Sequence, residues 1–112
     1  MKTSEVFKRA KQRLAVDYES TYSVPSKEKF ICMAVRTASA YTKRITPEDI
    51  ARCEDIIGGR LEGNSTFEGW LTDRGCIDSD YYRISRATKD RIQQHRHAWL
   101  DMLIAEFEAQ GD

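Results

Sequence analysis

Apolar residues recur every three or four positions from Thr3 to about Tyr18, and lysines and arginines lie between them. The apolar positions of this segment are Val6, Phe7, Ala10, Leu14 and Tyr18. This spacing places the apolar side chains on one face of a helix and the cations on the other. The following residues, 19–26, are mostly small and polar and include Pro25, which disfavours helical geometry in the residue before it. The pattern predicts a first helix and then a loop.

A continuous apolar run from Phe30 to Val35 fits either a buried strand or a buried helix. The segment continues through Ala38 and Tyr41, with alanines along it and basic residues at its end. Alanine has the highest helix propensity, and cations stabilise the carboxyl end of a helix. The extension therefore favours a second helix, and the strand remains the alternative.

A third helix has the clearest start signal in the chain. Thr46 offers a capping hydroxyl, Pro47 suits the first helical position, and Glu48 and Asp49 place negative charge at the positive end of the helix dipole. The apolar seam that follows consists of Ile50, Cys53, Ile57 and Leu61. These residues predict a helix that begins directly after Thr46.

A short fourth helix and a long loop are predicted next. Ser65 and Glu68 have the spacing of a capping box, and the helix that they begin carries Trp70 and ends at Gly75. Residues 73–85 show no sustained periodicity, so they are predicted to form the longest loop.

The last predicted helix, from about Thr88 to Glu108, is the longest. At about 100° per residue, its apolar residues span about 200°, which is broader than a single apolar stripe. We expect this helix either at the centre of the bundle or in contact with a partner chain as well, so a homodimer is one hypothesis. Counted from Ile92, the arc contains His95, Trp99, Leu100, Met102, Leu103, Ile104 and Phe107.

These segments predict an all-α protein, a compact bundle of about five helices with one longer loop at residues 73–85. The length of 112 residues fits a single helical domain over residues 1–112. No apolar run approaches the ~18 residues of a membrane span, and the first residues lack the apolar core of a signal peptide. The cysteines are odd in number and widely spaced, which is not typical of a disulfide framework. We expect a soluble, cytoplasmic protein with reduced thiols and no membrane contact.

The formal net charge of zero hides an uneven distribution. Residues 1–45 contain ten Lys/Arg and four Asp/Glu, whereas residues 46–112 contain eight Lys/Arg and fourteen Asp/Glu. One hypothesis is therefore nucleic-acid binding through the basic N-terminal half. The alternative is that folding places the two halves together and that their fields largely cancel.

Known catalytic and metal-binding patterns are incomplete in this sequence. Residues 58–65 nearly match a phosphate-binding loop, but Asn64 stands where the motif has lysine, and the preceding residues have a helical pattern where the motif needs a strand. The cysteines lack the close spacing of zinc-ligand pairs, and no nucleophile signature is present. We expect a protein without enzymatic activity, cofactor or bound metal.

Two features remain as candidate binding chemistry. Arg96 lies about 40° from Ile92 inside the apolar arc, where a charge requires a carboxylate or an anionic ligand, unless the helix end overhangs the core. The second feature is the predicted loop with Trp70, because interfaces and base-stacking pockets are both rich in arginine and aromatic residues. The alternative for its tyrosines is packing over the edge of the core. The candidate binding residues are Trp70, Arg74, Tyr81, Tyr82, Arg83 and Arg96, and Asp78 and Asp80 lie in the same loop.

The segments KFICMAV, GRLEGNSTFEGWL and RHAWLDMLIAEFE together resemble small proteins of tailed bacteriophages. The resemblance covers about half of the chain and supplies no catalytic residue. It implies a protein that is made inside the infected bacterium and binds a host protein, a nucleic acid or a defence signal. Together with the arginine and aromatic cluster and the absence of catalytic motifs, this leads to the first hypothesis, a non-enzymatic accessory protein that binds and modulates a bacterial host protein, for host takeover or against host defence. A different hypothesis is a module that sequesters a phosphorylated nucleotide, held by Arg96 and Arg74 with Trp70 or a tyrosine stacked on the base.

Overall fold

A computed structural model of the protein describes residues 1–16, 30–61 and 86–112, which form four helices and no strand. The helices are α1 (Thr3–Val16), α2 (Phe30–Tyr41), α3 (Pro47–Arg60) and α4 (Arg86–Ala109). The all-α prediction is confirmed for these residues. The apolar run from Phe30 to Val35, which fitted either a strand or a helix, forms the first half of α2. The predicted short helix after Ser65 and the predicted loop at 73–85 lie outside the described residues.

α3 begins where its sequence signal predicted. Thr46 has an extended backbone conformation, and its hydroxyl accepts a hydrogen bond from the backbone N–H of Asp49 at 3.1 Å. The Asp49 carboxylate accepts one in return from the backbone N–H of Thr46 at 3.0 Å. This reciprocal capping box satisfies two donors that the first turn of a helix otherwise leaves without partners.

α1 is the helix that packs against each of the other three, and α2 also packs against α3. The last helix was predicted as one candidate for the central position, but among the described helices α1 occupies it. The Phe7 and Phe107 rings lie 6.1 Å apart between centroids at an interplanar angle of 46°, which joins α1 to the end of α4. The buried apolar cluster consists of Val6, Phe7, Ala10, Leu14, Ala34, Val35, Ala38, Ile45, Cys53, Ile57, Leu61, Trp99, Leu100, Leu103 and Ile104.

The buried stripe of α4 is narrower than the predicted arc. Met102 is 55% exposed although it was placed inside the arc, and His95 is only half-buried. Leu100 and Leu103 have no exposed surface, so the side of α4 that faces α1 lies around them. A stripe of this width is typical of a helix that packs on one side of a small core. Among the described residues, no helix is long and apolar enough to cross a membrane.

The chain ends meet at the start of α1. The Asp112 carboxylate accepts hydrogen bonds from the backbone N–H of Thr3 at 3.1 Å and from its hydroxyl at 2.8 Å, and Ser4 N–H donates to the Asp112 carbonyl at 3.1 Å. Arg52 of α3 donates to the Thr3 hydroxyl at 3.0 Å. The first turn of α1 is therefore fixed to both α3 and the end of the chain.

Candidate functional site

The cations of α1 lie on two flanks of the helix. Arg9 and Arg13 are four residues apart, and Lys2 precedes Arg9 by seven, so these three share one flank at about 100° per residue. Lys8 and Lys11 lie on the opposite flank. The buried apolar side chains of α1 separate the two flanks on the core side.

On the second flank, each lysine faces an acid of α4. Lys11 Nζ lies 2.6 Å from Asp101 Oδ1, and Lys8 Nζ lies 3.6 Å from Glu108 Oε1. We call these four residues the paired flank. Three of them, Lys8, Lys11 and Asp101, line a groove of about 520 Å³ between α1 and α4 together with His97. Each positive charge on this side has a carboxylate opposite it.

Two arginines elsewhere in the described structure are also paired, in bidentate geometry. Arg60 of α3 donates to both carboxylate oxygens of Glu106 in α4, with 2.6 Å between Nη1 and Oε2. Arg36 of α2 holds Glu54 of α3 at 2.6 Å and 3.1 Å. Arg60 lowers the pKa of Glu106 through these hydrogen bonds. The bidentate geometry makes both pairs specific contacts between helices.

The first flank of α1 is different, because none of its cations lies within ion-pair distance of an acid among the described residues. Arg9, together with Lys43 and Arg44 from the turn between α2 and α3, forms no ion pair with any described residue. All three side chains are exposed. We call the surface formed by Lys2, Arg9, Arg13, Lys43 and Arg44 the basic face.

Two neighbouring grooves run along the basic face. One, of about 380 Å³, is lined by Met1, Lys2, Glu5, Arg9 and Arg44. The other, of about 160 Å³, is lined by Arg9, Gln12, Arg13, Ala38, Tyr41 and Thr42. Arg9 lines both grooves, so its side chain lies between them. The grooves therefore adjoin along α1, and Glu5 is the single carboxylate among these lining residues.

Tyr41 ends α2 at the edge of the basic face. Its side chain is 75% exposed, and the Arg13 guanidinium lies over its ring at 4.7 Å from the centroid. This distance is within the range of a cation–π interaction, which favours a fixed relative position of the two side chains. The surface thus combines an accessible aromatic ring with cations that form no ion pair within the described part of the chain.

The turn that carries Lys43 and Arg44 is held at both ends. Thr42 N–H donates to the Ser39 carbonyl at 3.4 Å, and Ile45 N–H donates to the Thr42 carbonyl at 3.1 Å. Ile45 is only 6% exposed and anchors the turn in the core. The capping box of α3 begins at the next residue. The backbone positions of the two cations are therefore set by packing and hydrogen bonds.

Asp49 links this turn to the start of α1. Its carboxylate lies 3.4 Å from the Met1 amino group and accepts a hydrogen bond from Arg52 at 2.9 Å. The pKa of Asp49 is lowered from 3.8 to about 2, first by the hydrogen bond from the backbone N–H of Thr46 and then by Arg52, although burial acts in the opposite direction. A charged Asp49 therefore stabilises the region behind the basic face.

Arg96, the one predicted binding residue within the described part, is fully buried. Its Nη1 donates to Gln93 Oε1 at 3.2 Å, and Gln93 Nε2 donates to the Leu14 carbonyl at 2.7 Å, which fixes α4 to the end of α1. The alternative in which Arg96 overhangs the core is wrong, because the side chain has no exposed surface. Burial lowers the pKa of the neighbouring His97.

The other predicted binding residues lie outside the described part of the chain. They are Trp70, Arg74, Tyr81, Tyr82 and Arg83, with Asp78 and Asp80. The host-protein and nucleotide hypotheses that use them stay predictions. Within the described ranges, no group of three or more His, Cys, Asp or Glu side chains is arranged to hold a metal ion, and Cys53 is buried in the core.

The sequence prediction missed Arg13 and Tyr41 as site residues, and it treated Arg9 and Arg44 only as part of a general basic half. A signal was present, since Lys2, Arg9 and Arg13 have the spacing of a single helix flank. The approach of Tyr41 to Arg13 depends on the packing of α2 against α1. No protein-family model, curated protein or solved structure matches this chain. The resemblance to phage proteins also stays a prediction.

Proposed function

We propose that this protein is a non-enzymatic nucleic-acid-binding domain that contacts the phosphate backbone through the basic face. The observation that carries the proposal is the difference between the two flanks of α1. Lys8 and Lys11 are opposed by acids of α4, whereas Arg9, Lys43 and Arg44 have no acid within ion-pair distance among the described residues. A phosphate backbone would supply negative charges opposite these three cations.

The net charge of zero does not oppose this function. Charges on exposed surfaces separated by more than about 10 Å are largely screened at 0.1 M salt, so the local field decides where a polyanion binds. Acids on α3 and α4 are engaged by cations of other regions, as Glu54 is by Arg36 and Glu106 by Arg60. The charge of these two acids is thus compensated locally and does not offset the cations of the basic face.

The groove geometry fits an extended polyanion better than a small ligand. The two grooves adjoin at Arg9, and cations lie at both ends of the combined surface, from Arg44 to Arg13. A surface of this kind gives sequence-independent binding with dissociation constants of about 10⁻⁴–10⁻⁶ M at physiological salt. The affinity is expected to fall with salt because each neutralised phosphate releases counterions.

Fluorescence anisotropy with labelled single- and double-stranded oligonucleotides, between about 50 and 200 mM KCl, tests the proposal. Three neutralised phosphates predict a slope of roughly −2 to −3 for log K against log salt. The double substitution Arg9→Gln/Arg44→Gln should weaken binding roughly ten-fold or more. It should also make the slope less steep, by about 1 to 2.

The matched control is Lys8→Gln/Lys11→Gln, which removes the same amount of charge from the opposite flank of the same helix. It should change the affinity by no more than roughly two-fold, since those lysines are already neutralised by acids. Circular dichroism checks that both variants are folded. Absence of binding to every oligonucleotide at the lowest salt, or equal losses in the two variants, would refute the proposal.

A further inference from the structure

Tyr41 is the most exposed large hydrophobic side chain of the described residues, at 75%, compared with 55% for Met102. A single exposed aromatic residue is common and is not by itself a binding site. Tyr41 differs because it lines a groove of the basic face and because Arg13 lies over its ring at 4.7 Å from the centroid. The ring is therefore positioned by a cation that belongs to the same surface.

Taking the proposed function as its basis, we infer that the nucleic acid bound by this domain is single-stranded and that one of its bases stacks on the exposed ring of Tyr41. In proteins that bind single strands, a positively charged groove follows the backbone and aromatic rings accept the bases. Arg9 lies beside Tyr41 in the smaller groove, so a phosphate and a neighbouring base can be contacted together. In a duplex the flat surfaces of the bases are covered by their neighbours.

The stacking predicts a clear preference among probes that differ in their bases but carry the same charge. Three probes of roughly 12 nucleotides, within the site sizes known for single-strand binders, are a thymidine strand, an abasic strand of equal length and a duplex hairpin with the same number of phosphates. The wild-type protein should bind the thymidine strand roughly five-fold or more tightly than either other probe. The abasic strand isolates the contribution of the bases.

The variant Tyr41→Ala should weaken binding of the thymidine strand roughly ten-fold and should leave the abasic strand and the hairpin within roughly two-fold of the wild type. Tyr41→Phe keeps an aromatic ring and should retain the preference. Met102→Ala removes the other exposed large hydrophobic side chain and serves as the matched control, with unchanged affinity for all three probes. The ring protons of Tyr41 should shift upfield with the thymidine strand and not with the abasic strand.

The outcomes separate the two proposals. If none of the three probes binds at low salt, the proposed function fails and the single-strand preference fails with it. If all three bind equally, or if Tyr41→Ala weakens the abasic strand as much as the thymidine strand, the stacking is refuted while backbone binding by the basic face stands. A folded Tyr41→Phe variant that loses the preference would also refute stacking, because the hydroxyl and not the ring would then be responsible.

Discussion

The two flanks of α1 carry similar cations in different surroundings. On the paired flank, Lys8 and Lys11 face Glu108 and Asp101, whereas on the basic face Arg9 shares a groove with Arg44 and forms no ion pair with a described acid. The difference lies in the neighbouring element, since the acids of α4 that form ion pairs with α1 in the described structure lie against the paired flank. A cation that folding brings next to a carboxylate joins two helices, whereas a cation without such a neighbour is available to bind a ligand.

This comparison also explains how a chain of zero net charge has a basic surface. The basic first half and the acidic second half meet along α1 and α4, as the ion pair between Lys11 and Asp101 shows. Local compensation of charge occurs there. It does not extend to the basic face, which α4 does not cover with a carboxylate in the described residues.

Charge reversal on the basic face should have the largest effect. Arg9→Glu/Arg44→Glu replaces two attractive phosphate contacts by repulsive ones and should lower nucleic-acid affinity by about 100-fold or more. Anisotropy at low salt measures the loss. The fold should be retained, because neither arginine pairs with a described acid, and a variant that is folded and still binds would show that the basic face is not the contact surface.

The contacts of Asp49, which lie behind the basic face, should contribute to the free energy of unfolding. Asp49→Ala removes half of the capping box and the acceptor of Arg52, and should lower the free energy of unfolding by about 2 kcal/mol and the melting temperature by roughly 8 °C. Asp55→Ala removes an exposed acid from the same helix and should change stability by no more than about 0.5 kcal/mol. Thermal unfolding followed by circular dichroism measures both.

The contribution of Asp49 should depend on pH with a defined sign. Its pKa is about 2 in the folded protein and 3.8 when the group is unperturbed, so the carboxylate stabilises the fold above pH 3.8, and the contribution is lost as the pH falls from 3.8 to about 2. The difference in stability between the wild type and Asp49→Ala should shrink over that window. A difference that stays constant down to pH 2 would contradict the assigned hydrogen bonds.

Release of the paired flank should create a second binding surface. Asp101→Asn/Glu108→Gln leaves Lys8 and Lys11 without their acids, and should raise nucleic-acid affinity by roughly three- to ten-fold. Stability should fall by only about 0.2 to 1 kcal/mol per pair, because both pairs are exposed to solvent. The same substitutions should partly restore binding to the weakened Arg9→Gln/Arg44→Gln variant. Unchanged affinity would mean that ion pairing does not control access to these lysines.

The smallest expected effect concerns His97, which lines the groove of the paired flank. Burial is the main reason that the pKa of His97 lies below 6.5, and the charge of Lys11 lowers it further while that of Asp101 raises it. Lys11→Gln should therefore raise the pKa of His97, and Asp101→Asn should lower it. NMR titration measures both, with His95→Gln used to assign the signals. If the pKa of His97 changed in the same direction in both variants, the positions of Lys11 and Asp101 beside His97 would be contradicted.

Because the pKa of His97 is lowered in the folded protein, the direction in which stability changes with pH can be predicted. The folded state binds a proton less readily than the unfolded state, so stability is highest above pH 6.5 and decreases as the pH falls through 6.5. The decrease should be smaller in His97→Gln. An equal decrease of stability in the wild type and in His97→Gln would mean that other titrating groups cause it.

The helices were predictable because each has a local signal. The spacing of Val6, Ala10 and Leu14 and the cap at Thr46 act within a few residues, and the structure confirms both. The width of the last apolar arc was overestimated, because periodicity alone includes Met102 while packing leaves it 55% exposed. Which residues of a broad arc are buried depends on the position of the neighbouring helix.

The candidate site was less predictable, because it depends on contacts between distant residues. Lys11 and Asp101 are separated by 90 positions in sequence, and only their proximity makes Lys11 a structural cation. Arg13 and Tyr41 likewise meet through the packing of α2 on α1. A sequence shows where cations are placed along a helix, but their partners are set by tertiary structure.

The most direct test of the account observes the arginine side chains themselves. NMR spectra of the arginine Nε–Hε groups during titration with a single-stranded oligonucleotide report which guanidinium groups contact phosphate. We predict that the signals of Arg9, Arg13 and Arg44 shift with saturation, whereas those of Arg60 and Arg52, which are held by acids, stay in place. Shifts confined to Arg60 and Arg52, or no shift at the three basic-face arginines when the oligonucleotide is bound, would contradict the proposal.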